Sequence, residues 1–169
     1  NEMTGMFAGK NVILVLMESM DDWMITPEDT PTIYALMQKG INFTDFYTPG
    51  FGTARTINTE FCVNTGIYLP TTGDYVFDYV TNDYRQSLAS LLGDQGYNPK
   101  VYHYNDPSFY SRGVFSPAMG YEEYVCYDDF VTETDEKARK NLLYDDLLLF
   151  DNEALKADFC RQGQPTLNF

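Results

Sequence analysis

The segment NVILVLMES, residues 11–19, decides how this chain folds. From Val12 to Met17 every side chain is apolar, and three of the six are β-branched. A strand wet on one face alternates apolar and polar residues. An unbroken run therefore predicts a strand covered on both faces, as in a parallel sheet. Helical patterns follow it, as crossovers between parallel strands require. Residues 30–39 (TPTIYALMQK) read as a helix, with Pro31 in the first position after Thr30 and Gly40 as the stop. Residues 41–47 are a second strand candidate, 49–55 a loop of small residues, and 57–65 a short helix. Residues 85–94 place Leu88, Leu91 and Leu92 on one helical face, and Gly96 closes them. A strand is expected over 100–104 and a long amphipathic helical region over 135–159. Gly163 and Pro165 then turn the chain, and residues 166–169 begin another strand. The alternation predicts an α/β fold with a mostly parallel sheet flanked by helices.

Length and composition set the frame. With 169 residues, 44% of them hydrophobic and 16% aromatic, the chain can bury one core but not two. No apolar run reaches the ~18 residues that a membrane span requires. The first residue is Asn1, and no basic-then-apolar leader precedes the first strand, so the chain is expected to be excised from something longer. Asp and Glu number 25 against 11 Lys and Arg, a net charge of −14. That field repels nucleic acid and anionic lipid heads at long range, so no nucleic-acid partner is expected. An anionic substrate would need a local cation to overcome it. The three cysteines, Cys62, Cys126 and Cys160, lack CxxC spacing, which excludes a zinc ribbon and argues against a disulfide framework, though one disulfide stays open.

Three stretches carry side chains suited to chemistry. Glu18 directly follows the apolar strand, at the carboxyl edge where open α/β sheets bind ligands. A partly desolvated carboxylate there needs a cation or several donors, but a helix cap or an ion pair would satisfy it as well. In PGFGTARTINTEF, residues 49–61, Gly50 and Gly52 permit tight turns and Thr56 falls near a helix start. Free N–H groups at a helix start suit a phosphoryl group, and a metal-activated Thr hydroxyl can serve as a nucleophile. By residue type alone, a capping Thr is the commoner use. In VYHYNDPSFYSR, residues 101–112, the single histidine, His103, closes a strand at the same edge, and Arg112 follows. Both can bind phosphate oxygens, and both also serve as structural residues. The acidic pairs Asp21–Asp22, Asp128–Asp129 and Asp145–Asp146 lack calcium-loop spacing and read as solvated faces or caps. Met17, Met20 and Met24 beside Trp23 read as packing. No GxGxxG, Walker A or GxSxG pattern occurs.

In this order and spacing, VLMES, RTINTEF and HYNDPSFYSR resemble the lipoteichoic acid synthase family of phosphoglycerol transferases, within the sulfatase and alkaline phosphatase superfamily. The resemblance implies that Glu18 ligates a divalent cation, manganese or magnesium, together with Thr56. It implies that Thr56 is the nucleophile that becomes phosphoglycerylated, and that His103 and Arg112, nine residues apart, bind glycerol phosphate. Asn105 stands where the family commonly has Asp, and Tyr110 where it commonly has Trp; both are carried over as substrate-binding positions. The formylglycine pattern of true sulfatases, C/S-x-P-x-R, is missing. The implied donor is an anionic glycerophospholipid and the acceptor a cell-envelope polymer. The implied setting is the extracytoplasmic face of the cell membrane, with anchoring helices upstream. Residues 1–169 would form the N-terminal part of a single catalytic domain, inactive alone, whose remaining metal ligands lie beyond residue 169. A phosphoethanolamine transferase, a phosphodiesterase-like hydrolase and a non-catalytic polymer-binding relative are the alternatives.

Overall fold

The computed structural model of the chain describes residues 2, 4–47, 55–69, 76–129, 152–159, 163 and 165–169. One sheet of four strands runs in the order β1-β4-β2-β3, with β1 at Val12–Ile13, β2 at Asn98–Tyr102, β3 at Glu123–Val125 and β4 at Thr166–Asn168. Every pairing is parallel: Leu167 lies opposite both Val12 and Pro99, and Val101 opposite Tyr124. Five described helices flank it: α1 Pro31–Lys39, α2 Thr56–Thr65, α3 Leu88–Gly93, α4 Arg112–Ala118 and α5 Glu153–Phe159. The architecture is the expected α/β fold.

Strand alternation explains the layering. Val101 of β2 and Leu167 of β4 point into the larger core, where Ile57 and Phe61 of α2, Ala89 of α3 and Phe115 of α4 meet them. The Phe61 ring stacks on Phe115 at 5.4 Å and meets Tyr84 edge-on at 5.3 Å. Lys100 and Tyr102 point to the opposite face and hold α5: Lys100 Nζ donates to both oxygens of Asp158 and pairs with Glu123 at 2.7 Å, while the Tyr102 hydroxyl donates to Asp158 at 2.8 Å. Leu155 of α5 is fully buried there against Tyr104 and Val125.

Two close approaches seat α4. A Cβ on Gly120 would fall 2.3 Å from Ser90 Oγ and 2.9 Å from Ser90 Cα, and its φ of +90° favours glycine independently. Ser87 and Ser90 donate from their hydroxyls to the Met119 carbonyl at that contact. At the other end, a Cβ on Gly113 would lie 2.9 Å from Pro107 Cβ, so the chain folds tightly over the first turn of α4, where Arg112 sits.

The structure corrects several expectations. The run 11–17 is not an interior strand: only Val12–Ile13 pair, and β1 is a sheet edge among the described residues. Val12, Leu14 and Leu16 are half-buried, whereas Ile13, Val15 and Met17 stay 45–67% exposed. Apolar character records that both faces are suited to burial; it does not supply the covering segment. Residues 41–47 form no strand, and Ile41, Phe43, Phe46 and Tyr47 are all exposed. β-propensity is realised only where a partner ladder and packing exist. Trp23 is 70% exposed, so the Met and Trp group is not a packed cluster. β3 was not anticipated, because its EYV has too little apolar signal. Most of the loop 49–55, residues 135–151 of the long helical region, Asp145, Asp146 and Cys160 lie outside the described residues; Cys62 and Cys126 are free thiols. Among the described residues, no helix is long and apolar enough to cross a membrane.

Candidate active site

The carboxyl ends of β1, β4 and β2 open onto one cleft of about 530 Å³, whose wall includes Glu18, Thr56, Glu60 and His103. This is the edge at which open α/β sheets place ligands, because strand ends and helix starts leave backbone groups unpaired there.

Thr56 is the first residue of α2, and Arg55, not Thr56, occupies the cap position. The Thr56 hydroxyl donates to Glu18 Oε1 at 2.9 Å across 38 residues of sequence. Glu18 is exposed, not partly desolvated as expected, and the strand leading to it is a sheet edge among the described residues. Ser19, immediately after it, holds a left-handed φ of +56°, a strained conformation that turns the chain at this point.

His103 follows β2 directly and is mostly buried, its ring parallel to Tyr124 at 6.4 Å. Burial and then the Arg112 charge push its pKa from 6.5 down to about 4, so it is neutral near pH 7. Its Nδ1 accepts the Asn105 backbone N–H at 3.0 Å, which places the proton on Nε2 as a donor. Because the folded form releases this proton, the unfolded chain binds it first as pH falls, and His103 erodes stability between about pH 6.5 and pH 4. Replacing it as His103→Gln is expected to remove on the order of 3 kcal/mol of that loss, measured as the pH dependence of urea unfolding. Equal pH slopes in variant and wild type would contradict the assignment.

Arg112 opens α4 and is 2% exposed. Its Nε donates to Glu60 Oε2 at 3.0 Å and its Nη2 to Glu60 Oε1, a two-pronged pair. Burial opposes the charged guanidinium, but the Glu60 hydrogen bonds and charge outweigh it and raise the Arg112 pKa. Burial, joined by the Glu60 charge, raises the Tyr121 pKa, and Tyr121 donates to Asn64 Oδ1 at 2.5 Å on the next turn of α2.

The structure thus brings Glu18, Thr56 and His103 to one cleft and sets Arg112 behind Glu60 in its wall. Tyr110 serves Arg112, with its ring 5.1 Å from Cζ, and Asn105 serves His103 through its backbone. Sequence reasoning missed Glu60. The spacing from Thr56 already put the two on one face of α2; its partner Arg112, 52 residues on, left no local trace. Among the described residues, no three His, Cys, Asp or Glu side chains form a metal-holding group. Glu18 and Thr56 supply two oxygen donors, which in kind suit a hard divalent cation.

Comparisons with known proteins agree with this fold. The family described as Sulfatase matches residues 10–160. The lipoteichoic acid synthase-like YvgJ of Bacillus subtilis (strain 168) is 28% identical over 131 residues, covering 75% of this chain and 21% of that protein. Lipoteichoic acid synthase 2 of the same organism is 26% identical over 147 residues, covering 83% and 22%. The crystal structure of the lipoteichoic acid synthase LtaP from Listeria monocytogenes matches with a TM-score of 0.75 over 97% of this chain and 40% of that one, at 22% identity, a likeness of fold. The chain spans about a fifth of the length of the curated relatives it matches.

Proposed function

Because the chain belongs to the sulfatase family, with lipoteichoic acid synthases among its relatives, we propose that it forms part of an enzyme transferring phosphoglycerol from an anionic glycerophospholipid to a cell-envelope glycerol or sugar hydroxyl, with Thr56 as nucleophile. The observation that carries this reading is the Thr56 hydroxyl, held at 2.9 Å by Glu18 where α2 begins and the strands end.

In the first step the Thr56 Oγ1 attacks phosphorus. An Oγ1–P bond forms as the hydroxyl gives up its proton, and the bond from phosphorus to the diacylglycerol oxygen breaks, that oxygen taking up a proton. In the second step the acceptor oxygen attacks phosphorus and gives up its proton. The Oγ1–P bond then breaks, and Thr56 recovers its hydroxyl. Glu18 orients Oγ1 by accepting its proton in a hydrogen bond. The start of α2 turns the positive end of its helix dipole toward the phosphoryl oxygens. Neutral His103 offers Nε2–H to a phosphoryl or glycerol oxygen. A divalent cation, manganese or magnesium, would be held by Glu18 and Thr56 and would, when bound, lower the pKa of the hydroxyl. We place the reaction at the extracytoplasmic face of a membrane, in a larger anchored protein, as the resemblance to lipoteichoic acid synthases implies.

The test is to trap the intermediate. Full-length protein incubated with isotopically labelled phosphatidylglycerol and quenched should carry a glycerophosphate adduct on the peptide containing Thr56, and added acceptor should discharge it. Turnover without an adduct at Thr56, or an adduct elsewhere, would refute the mechanism. Discharge at the same rate without acceptor would assign hydrolysis instead of transfer.

A further inference from the structure

We propose that Glu60 is a positioning residue for Arg112: its carboxylate locks the guanidinium so that Nη1 alone remains to meet a phosphoryl oxygen of the substrate. This rests on the function proposed above and adds a residue to it. Four observations converge on it.

The first is orientation. Glu60 takes Nε and Nη2 with its two oxygens, and both side chains are at least nine-tenths buried. A two-pronged pair fixes the plane of the guanidinium, as a single contact would not. The second is confinement. The Phe109 and Tyr110 rings lie 5.7 Å and 5.1 Å from Cζ, so the group has little room to swing away. The third is the backbone. Tyr110 and Ser111 hold left-handed φ angles of +57° and +54° in the two residues before Arg112, strain that persists only where surroundings impose it.

The fourth is the residual donor. Arg112 Nη1 is buried and has no hydrogen-bond partner among the described residues. An unmet buried donor costs roughly 1–3 kcal/mol, and such groups in native folds call for a functional explanation. A substrate oxygen supplies the missing acceptor. Glu60 lines the same cleft as Thr56 and stands one helical turn from it on α2. One rigid element therefore carries the nucleophile and the group that aims the anion anchor. Because Glu60 neutralises most of the Arg112 charge, the anchor suits the single negative charge of a phosphodiester.

Glu60→Asp separates positioning from charge compensation, since it keeps the carboxylate but withdraws it by one methylene. In full-length protein it is expected to lower kcat/KM for phosphatidylglycerol about tenfold or more, as misplacement near 1 Å can do. Calorimetry with glycerol phosphate should show a parallel loss of affinity, with the melting temperature little changed. In an Arg112→Lys background, Glu60→Asp should lower neither quantity further, because the fork it aims is gone. Wild-type kcat/KM and affinity in Glu60→Asp would overturn the proposal, as would an undiminished effect in the Arg112→Lys background. Should Glu60→Asp fail to fold, Glu60→Gln is measured in its place; failure of both would assign Glu60 to the core and likewise overturn it. Arg112→Lys alone tests the underlying reading: unchanged turnover there removes Arg112 from substrate binding, whereas a loss there with none in Glu60→Asp removes Glu60 only.

Discussion

Replacing Thr56 by Ala in the full-length enzyme is expected to lower turnover by about four orders of magnitude or more, to the uncatalysed background, since removing a covalent nucleophile has losses of that order. The fold should survive. Thr56 is only half-buried, it is not the cap of α2, and its hydroxyl is held by a hydrogen bond to exposed Glu18. Losing one such bond costs about 1 kcal/mol. Thr56→Ser is the informative control, because it keeps an oxygen at the γ position and loses only the methyl group. It should retain measurable turnover and still form the adduct. Turnover in Thr56→Ala within tenfold of wild type would eliminate Thr56 as nucleophile and leave its contact with Glu18 a local structural detail.

The second large effect concerns stability. Arg112→Met is expected to cost about 3–5 kcal/mol in the urea unfolding of the full-length protein, because it strands the Glu60 carboxylate without its partner in the wall of the core. Glu60 is 5% exposed in the folded protein. Adding Glu60→Gln to Arg112→Met should return much of the lost stability, since a neutral amide is far cheaper to bury than an unpaired charge. A single-variant loss under about 1 kcal/mol, or a double variant no better than the single, would mean that the buried pair does not govern stability here.

Much of the scaffold was legible because it is written locally. Pro31 and Gly40 bracket α1, Leu88 and Leu92 belong to a helix, and the strand after Gly96 follows a clear break. The strand edges were less clear: β2 starts two residues earlier than the 100–104 stretch suggested and ends at Tyr102, and His103 follows it with its N–H still donating to the Val125 carbonyl of β3 and its side chain lining the cleft.

Residue type and spacing alone determined the α/β class, the order of strand-end Glu, helix-start Thr and strand-end His, and the resemblance those motifs carry, because each depends on neighbours within a few positions. Tertiary structure decided the rest. It put β4, residues 166–168, between β1 and β2, which left β1 at the edge of the sheet among the described residues. It set the Thr56 hydroxyl on Glu18, and it spent two nitrogens of Arg112 on Glu60. These partners lie 38 and 52 residues apart. A hydrogen bond at such a separation leaves no periodicity in the sequence; it exists only once the sheet order and the tight seat of α4 on α3 have brought the two segments together.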